Sequence, residues 1–180
     1  VLRGFRARTL SDRVRVSLCN DLIGDARRLD QQLASNQADI DSLLDEHGTR
    51  LRTIDGVGPV LAGRLIGRTG PATRFATASA YATYNGTAPI EIASADHQVH
   101  RLSRYGDRQL NAAIHTIAMV QVRMPGSAGR AYYDRRLAGG ASPRAAMRCL
   151  KRQLSNVLWR IMVADDTRRH RRETESCSAT

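Results

Sequence analysis

Leu51-Arg-Thr-Ile54-Asp-Gly56-Val-Gly58-Pro-Val-Leu61-Ala62-Gly-Arg-Leu65-Ile66 is the stretch on which the reading of this chain turns. Two glycines bracket Val57, and Pro59 follows where a first helical turn tolerates a missing N–H. Ile54 stands before the turn, with Leu61, Ala62 and Leu65 after it. A helix-hairpin-helix requires this arrangement of two short helices joined by a tight turn. The glycines permit positive φ and let the backbone come close to a phosphate, while the amides opening the second helix point at it. Contacts of this kind grip a nucleic-acid backbone and read no bases. A plain connection in a packed bundle is the competing reading of a lone G-x-G. The apolar frame and the charge of the chain favour DNA, with Gly56, Val57 and Gly58 as the contact residues.

That charge is large. The 180 residues carry a net +11 and a pI near 10.8, and of 28 Lys plus Arg only Lys151 is lysine. A GC-rich genome accounts for arginine over lysine, but not for the excess of positive charge. Guanidinium forks match phosphate geometry, so nucleic acid is the expected partner class. No apolar run is long enough to span a bilayer and no signal-peptide core is visible, which sets an anionic membrane behind nucleic acid. Cys19, Cys149 and Cys177 are isolated, which supports neither a disulfide framework nor a zinc ribbon. The expected setting is reducing and cytoplasmic.

Upstream, Ser11 to Glu46 lacks proline and places Val14, Leu18, Leu22, Leu29, Leu33, Ile40 and Leu43 at helical spacing. This predicts a long amphipathic, coiled-coil-like helix ended by His47-Gly48, with packing on its own domain or homo-oligomerisation as its two uses. Downstream, Thr77 caps a short helix through Tyr84 and Asp107 caps a strong one through about Met124. A further helix covers Ala128 to Leu137, and Ser142-Pro143 starts the last, which is expected to end near Ala164. With 4% aromatic and 42% hydrophobic residues the core is aliphatic and helical. The fold class is mainly α: a linker helix over 1–49, a helix-hairpin-helix-containing domain with an irregular loop over 50–164, and a disordered basic tail over 165–180.

The loop from Asn85 to Asp107 holds Glu91, Ser94, Asp96, His97, His100, Arg101, Ser103 and Arg104, with Arg108 just beyond. A loop this long inside a compact domain is more often functional than not. A hydroxyl attacking a phosphodiester needs cations for the developing charge and a group to take its proton. Ser94 with Arg101, Arg104 and Arg108 meets the first need on paper; His97, Asp96 or His100 meets the second. The alternative is that these are solvated loop side chains. The His97-x-x-His100 pair has no further ligand at metal spacing, so no metal is expected within this chain. His115 is expected in the core, and Tyr132-Tyr133 reads as a packing anchor or a tyrosine nucleophile. The Arg168–Arg172 run reads as a solvated tail or a phosphate contact.

Five segments in order, Ile54-Asp-Gly-Val-Gly-Pro59, Tyr84-Asn-Gly-Thr-Ala-Pro-Ile90, His100-Arg-Leu-Ser-Arg104, Gly106-Asp-Arg-Gln-Leu110 and Arg130-Ala-Tyr-Tyr-Asp134, resemble the C-terminal domain of the insertion sequence 110/116/902 family of transposases. The resemblance covers about Leu51 to Val163, and the upstream helix is similar to that family's coiled-coil linker. It implies DNA transposition directed by an element-encoded guide RNA, with a serine nucleophile at Ser94 forming a phosphoserine link to DNA. It also implies an acidic N-terminal domain that binds divalent metal (Mg). Ala95 and Asp96 stand where the family has glycines after the serine. The chain opens on Val1, and the expectation is of a part without the acidic domain, inactive by itself. The rival expectation is a non-catalytic helix-hairpin-helix DNA-binding remnant that oligomerises through its N-terminal helix. A purely structural coiled-coil module fits the charge and the turn less well.

Overall fold

Thr9 and Asp12 start the first helix by capping each other. The Asp12 amide donates to Thr9 Oγ1 at 3.1 Å, and the Thr9 amide donates to Asp12 Oδ2 at 3.1 Å. The computed structural model describes residues 8–94, 97–102 and 106–178, the side chains of 90–94, 97–102 and 178 excepted. Helix α1 runs Leu10–His47, and the chain divides into two units, Val1–Ser42 and Leu43–Thr180. In the first unit Leu10, Val14, Leu18, Leu22, Leu29 and Leu33 are each more than half exposed. The division lies ahead of the expected boundary at 49 because Leu44, Thr49 and Leu51 are buried in the second unit.

The second unit is mainly α, as the sequence predicts. A single 3-10 turn, Leu51–Thr53, is followed by α2 (Pro59–Thr69), a second 3-10 turn (Ala72–Arg74) and α3 (Ala78–Tyr84). Next come β1 (Pro89–Ser94), β2 (His97–Leu102), α4 (Arg108–Arg123), α5 (Ala128–Ala138) and α6 (Pro143–Ser178). Side-chain caps begin the helices: Thr77 accepts from the Ala80 amide, Asp107 from Gln109 and Leu110, and Ser127 from Arg130.

Two helices hold the core. On α4 Leu110, Ala113, Ile114, Ile117 and Ala118 are fully buried, a stripe at three- and four-residue spacing. On α6 Ala146, Leu150, Leu154, Leu158 and Met162 form a second stripe, every fourth residue. Helix α6 packs on α3, α4, α5 and both 3-10 turns, and α4 packs on α2 and α5. Each fully buried Leu or Ile contributes on the order of 1.5–3 kcal/mol. Small residues bring α4 and α5 together: a Cβ at Gly129 would lie 2.0 Å from Gln121 Oε1.

Two expectations change. The irregular loop contains a two-stranded antiparallel ribbon, β1 with β2, and the apolar–polar–apolar run Ile90-Glu91-Ile92 lies in β1. The polar segment after Ala164 is helical rather than a disordered tail. Asp165 and Asp166 are 2% and 4% exposed, and their carboxylates are satisfied from other elements. Asp165 Oδ2 accepts from the Thr49 hydroxyl and the Arg50 amide, both at 3.0 Å, and Asp166 Oδ2 accepts from the Ala72 amide at 2.6 Å. Arg168 and Arg169 pair with the same two aspartates one turn later, so α6 continues across them.

Candidate nucleic-acid interface

The Gly56–Gly58 turn is built from behind by α4. Gly56 has φ +81°, and a Cβ there would meet Val120 Cβ and Cγ1 at 3.1 Å. Gln121, 4% exposed, donates from Nε2 to the Asp55 carbonyl at 2.8 Å, and its own carbonyl accepts from the Ser127 hydroxyl at 2.7 Å. The Val57 amide donates to the Ile54 carbonyl at 3.0 Å and its side chain is buried. Gly56 and the buried Val57 side chain therefore seat the turn against α4. Gly58 is exposed and extended, opens α2 without a side-chain cap, and has open space where a Cβ would stand. The first amide bonded within the helix is that of Ala62, to the Gly58 carbonyl. The amides of Val60 and Leu61 thus face outward from the helix start. On the other side of the turn stands one 3-10 turn where a short helix is expected, because Asp165 captures Thr49 and Arg50 directly after α1.

The ribbon is anchored at its foot by a second set of buried polar groups. Asn85 is fully buried; its Nδ2 donates to Ser155 Oγ at 2.8 Å and its Oδ1 accepts from the Thr87 amide and hydroxyl. Asn111 Nδ2 donates to the carbonyls of Asn85 and Gly86 at 3.0 and 2.9 Å, and Asn111 Oδ1 accepts from Lys151 Nζ at 2.6 Å. The two ends of the ribbon converge here. The Asp107 amide donates to the Tyr84 carbonyl at 2.7 Å, and a Cβ on Gly106 would lie 2.4 Å from the Gly86 nitrogen. Asp107 also accepts from Arg68 Nε and Nη2 at 3.0 and 2.7 Å. Burial opposes the charge on Asp107, but the Leu110 amide and Arg68 outweigh it and hold the carboxyl below its ordinary 3.8.

Ser94 pairs with His97 at the closing end of the ribbon, Glu91 with His100, and Arg101 with Ile90 near the foot. At roughly 3.3 Å per residue, the Arg101 backbone stands on the order of 13 Å along the ribbon from that of Ser94. The fold does not bring these two positions together. Ala95, Asp96 and Arg104 lie outside the described residues. Arg108 is exposed at the first position of α4, next to the anchored foot. His115 is exposed on the outer face of α4 rather than in the core, one residue past buried Ile114. Burial lowers its pKa from the ordinary 6.5, with the nearby charge of Lys151 adding to this. Tyr132 and Tyr133 are both half-buried.

Among the described residues no three His, Cys, Asp or Glu side chains come together to hold a metal. Asp107, Asp165 and Asp166 already accept from amides and guanidinium groups. No described helix is long and apolar enough to cross a membrane. The sequence reading missed the anchors Asn85, Asn111, Lys151 and Ser155. The nearest signal was the Tyr84–Ile90 segment itself, whose asparagine is buried and polar.

Residues 48–134 match the family described as Transposase IS116/IS110/IS902 family. The chain is 35% identical over 141 residues to the uncharacterized 43.6 kDa protein of insertion element IS110 from Streptomyces coelicolor, covering 76% of this chain and 34% of that one. It is 31% identical over 133 residues to the 42 kDa protein of insertion element IS900 from Mycobacterium paratuberculosis, covering 69% and 33%. The 44.8 kDa protein of insertion element IS116 from Streptomyces clavuligerus is 26% identical over 146 residues, covering 79% and 36%. The chain thus spans about a third of the length of these relatives.

Proposed function

Because this chain belongs to the IS116/IS110/IS902 transposase family, we propose that it is the serine-bearing, DNA-gripping part of an insertion-sequence transposase. The observation that carries the reading is the anchored ribbon. Ser94 sits at the closing end of two strands whose foot is tied to α4 and α6 by Asn85, Asn111 and Lys151. In this reading the Ser94 hydroxyl attacks a DNA phosphorus, the P–O bond to one strand end breaks, and a phosphoserine ester forms. The hydroxyl proton passes to a neighbouring base, and the departing strand end leaves as a free hydroxyl. The ester keeps the bond energy for rejoining. Divalent metal, in this reading, belongs to an acidic domain of the family and not to this chain's own carboxylates.

The DNA grip is assigned to the helix-hairpin-helix-like turn: the amides at the exposed Gly58 end of α2, with Arg108. A guide RNA and self-association through α1 complete the proposal, the latter supported by the exposed Leu18 and Leu22 stripe. The rival reading, a non-catalytic DNA-binding part, draws support from the distance between Ser94 and Arg101 along the ribbon.

Duplex affinity of the full chain is expected to fall steeply with added salt, and Gly58→Glu is expected to weaken it tenfold or more while leaving folding intact. Salt-independent binding would sink the grip. For the chemistry, the chain is supplied with an acidic domain of the family and nicked or paired element ends, and protein–DNA adducts resistant to denaturant are sought. An adduct lost in Ser94→Ala supports the nucleophile; an adduct that survives it removes the assignment.

A further inference from the structure

Several guanidinium groups of the helical unit are neutralised inside it. Arg50, Arg68, Arg130, Arg168 and Arg169 each pair with an aspartate. A second set does not. Arg136 on α5 and Arg144, Arg148, Lys151 and Arg152 on α6 pair with no carboxylate among the described residues. Their partners are neutral where they have any. Arg136 Nη2 lies 3.5 Å from Cys149 Sγ, and Arg152 Nη2 donates to Ser79 Oγ at 3.1 Å and its Nη1 to Asn156. Lys151, 5% exposed, gives one of its three donors to Asn111. On α6 these residues recur at i, i+4, i+7 and i+8, one face of the helix.

Two open cavities lie along that face. One, of about 450 Å³, is lined by Thr87, Pro89, Tyr132, Arg136 and Arg152; the other, of about 590 Å³, by His115, Tyr133, Arg144 and Met147. Arg148 and Lys151 line both, so they form the partition between them. Among the described residues, no aspartate or glutamate lines either cavity. Each cavity therefore has one half-buried tyrosine and a basic rim, and the two share a cationic wall.

Concave sites of this size take small, partly apolar groups, and the described lining carries positive charge with no carboxylate beside it. A group that is flat, apolar on its faces and joined to its neighbour through an anion meets both demands. Two nucleobases linked by a phosphate are such a group. A duplex cannot use the cavities, since its bases are stacked and paired inward; an unpaired strand can. We propose that this groove binds single-stranded nucleic acid, seating two successive bases in the cavities against Tyr132 and Tyr133 with the intervening phosphate on Arg148 and Lys151. The groove is made by α5 and α6, on elements other than the Gly58 end of α2, and it stands whether or not that turn grips duplex DNA.

The test measures binding of the full chain to fluorescent dT10 and U10 and to a duplex of the same length. The expected result is binding to at least one of the two single strands. Arg148→Ala is expected to weaken it tenfold or more and to lower the salt slope by about 0.7, one phosphate of a single strand. Tyr133→Leu is expected to weaken it by roughly 5- to 100-fold without changing that slope, the loss of one stacked base, while Tyr133→Phe retains binding. Circular dichroism of each variant checks the helices, and Lys151 is left intact because it braces Asn111. Both variants are expected to leave duplex affinity within about twofold of the parent, whereas Gly58→Glu does the reverse. Failure of the turn and failure of the groove therefore show in different variants. Binding to neither decanucleotide, full retention by Tyr133→Leu, or equal competition by inorganic polyphosphate at matched charge would each overturn the proposal.

Discussion

Gly56 and Gly58 stand two residues apart and are held by opposite constraints. At φ +81°, with Val120 at 3.1 Å from any added Cβ, Gly56 has no room for a side chain. Gly56→Ala is expected to cost about 1–2 kcal/mol or more in denaturant unfolding, whereas Gly58→Ala is expected to change stability by less than about 0.5 kcal/mol. The sequence marks both as glycine and draws no difference between them; the distinction comes from α4, far along the chain. Asp107 offers a prediction in pH. Its carboxyl is held below 3.8 in the fold, so its contribution is fully present above that value and is lost as pH falls through the lower folded pKa. Asp107→Asn is expected to flatten the acid side of the stability profile between about pH 5 and pH 2, and an unchanged profile would contradict the role given to Arg68 and the Leu110 amide.

Among the elements, α6 departs furthest from what its sequence suggests. Polarity after Ala164 reads as solvation, because a chain segment by itself shows charge and not partners. The buried carboxylates of Asp165 and Asp166 become favourable only where Thr49, Arg50 and Ala72 deliver donors to them. Ending the chain at Ala164 leaves those donors unsatisfied, at roughly 1–3 kcal/mol each. The shortened chain is expected to lose about 3 kcal/mol or more in chemical denaturation; equal stability would return the segment to the status of a tail. Local signals were a better guide for α1, α4 and α5, whose starts at Thr9, Asp107 and Ser127 are local capping chemistry. The ribbon was half legible: the apolar–polar–apolar run Ile90-Glu91-Ile92 suits a strand, but its pairing with β2 is a matter of partner and register, which a single strand does not carry.

For the whole molecule the open question is the exposed stripe of α1. Leu18 and Leu22 are 57% and 59% exposed, an apolar seam at helical spacing in the first unit. Self-association through it predicts a concentration-dependent sedimentation coefficient, abolished by Leu18→Glu with Leu22→Glu. A parent chain that sediments as a monomer at tens of micromolar (about 10–100 μM) would refute the oligomer, since a seam of this length should associate well below that.

By itself the sequence determined that this protein is mainly helical, strongly basic, and punctuated by the Gly56–Gly58 turn, since periodicity, charge and capping are written in neighbouring residues. Its ordered motifs also placed it in its family. Only the tertiary structure decided which of the turn's residues face outward, where Ser94 stands relative to Arg101, and which of the described arginines pair with a carboxylate. Each of those depends on what distant segments bring within a few ångströms. Solvation and pairing energies are set at that range, and spacing along the chain does not encode them.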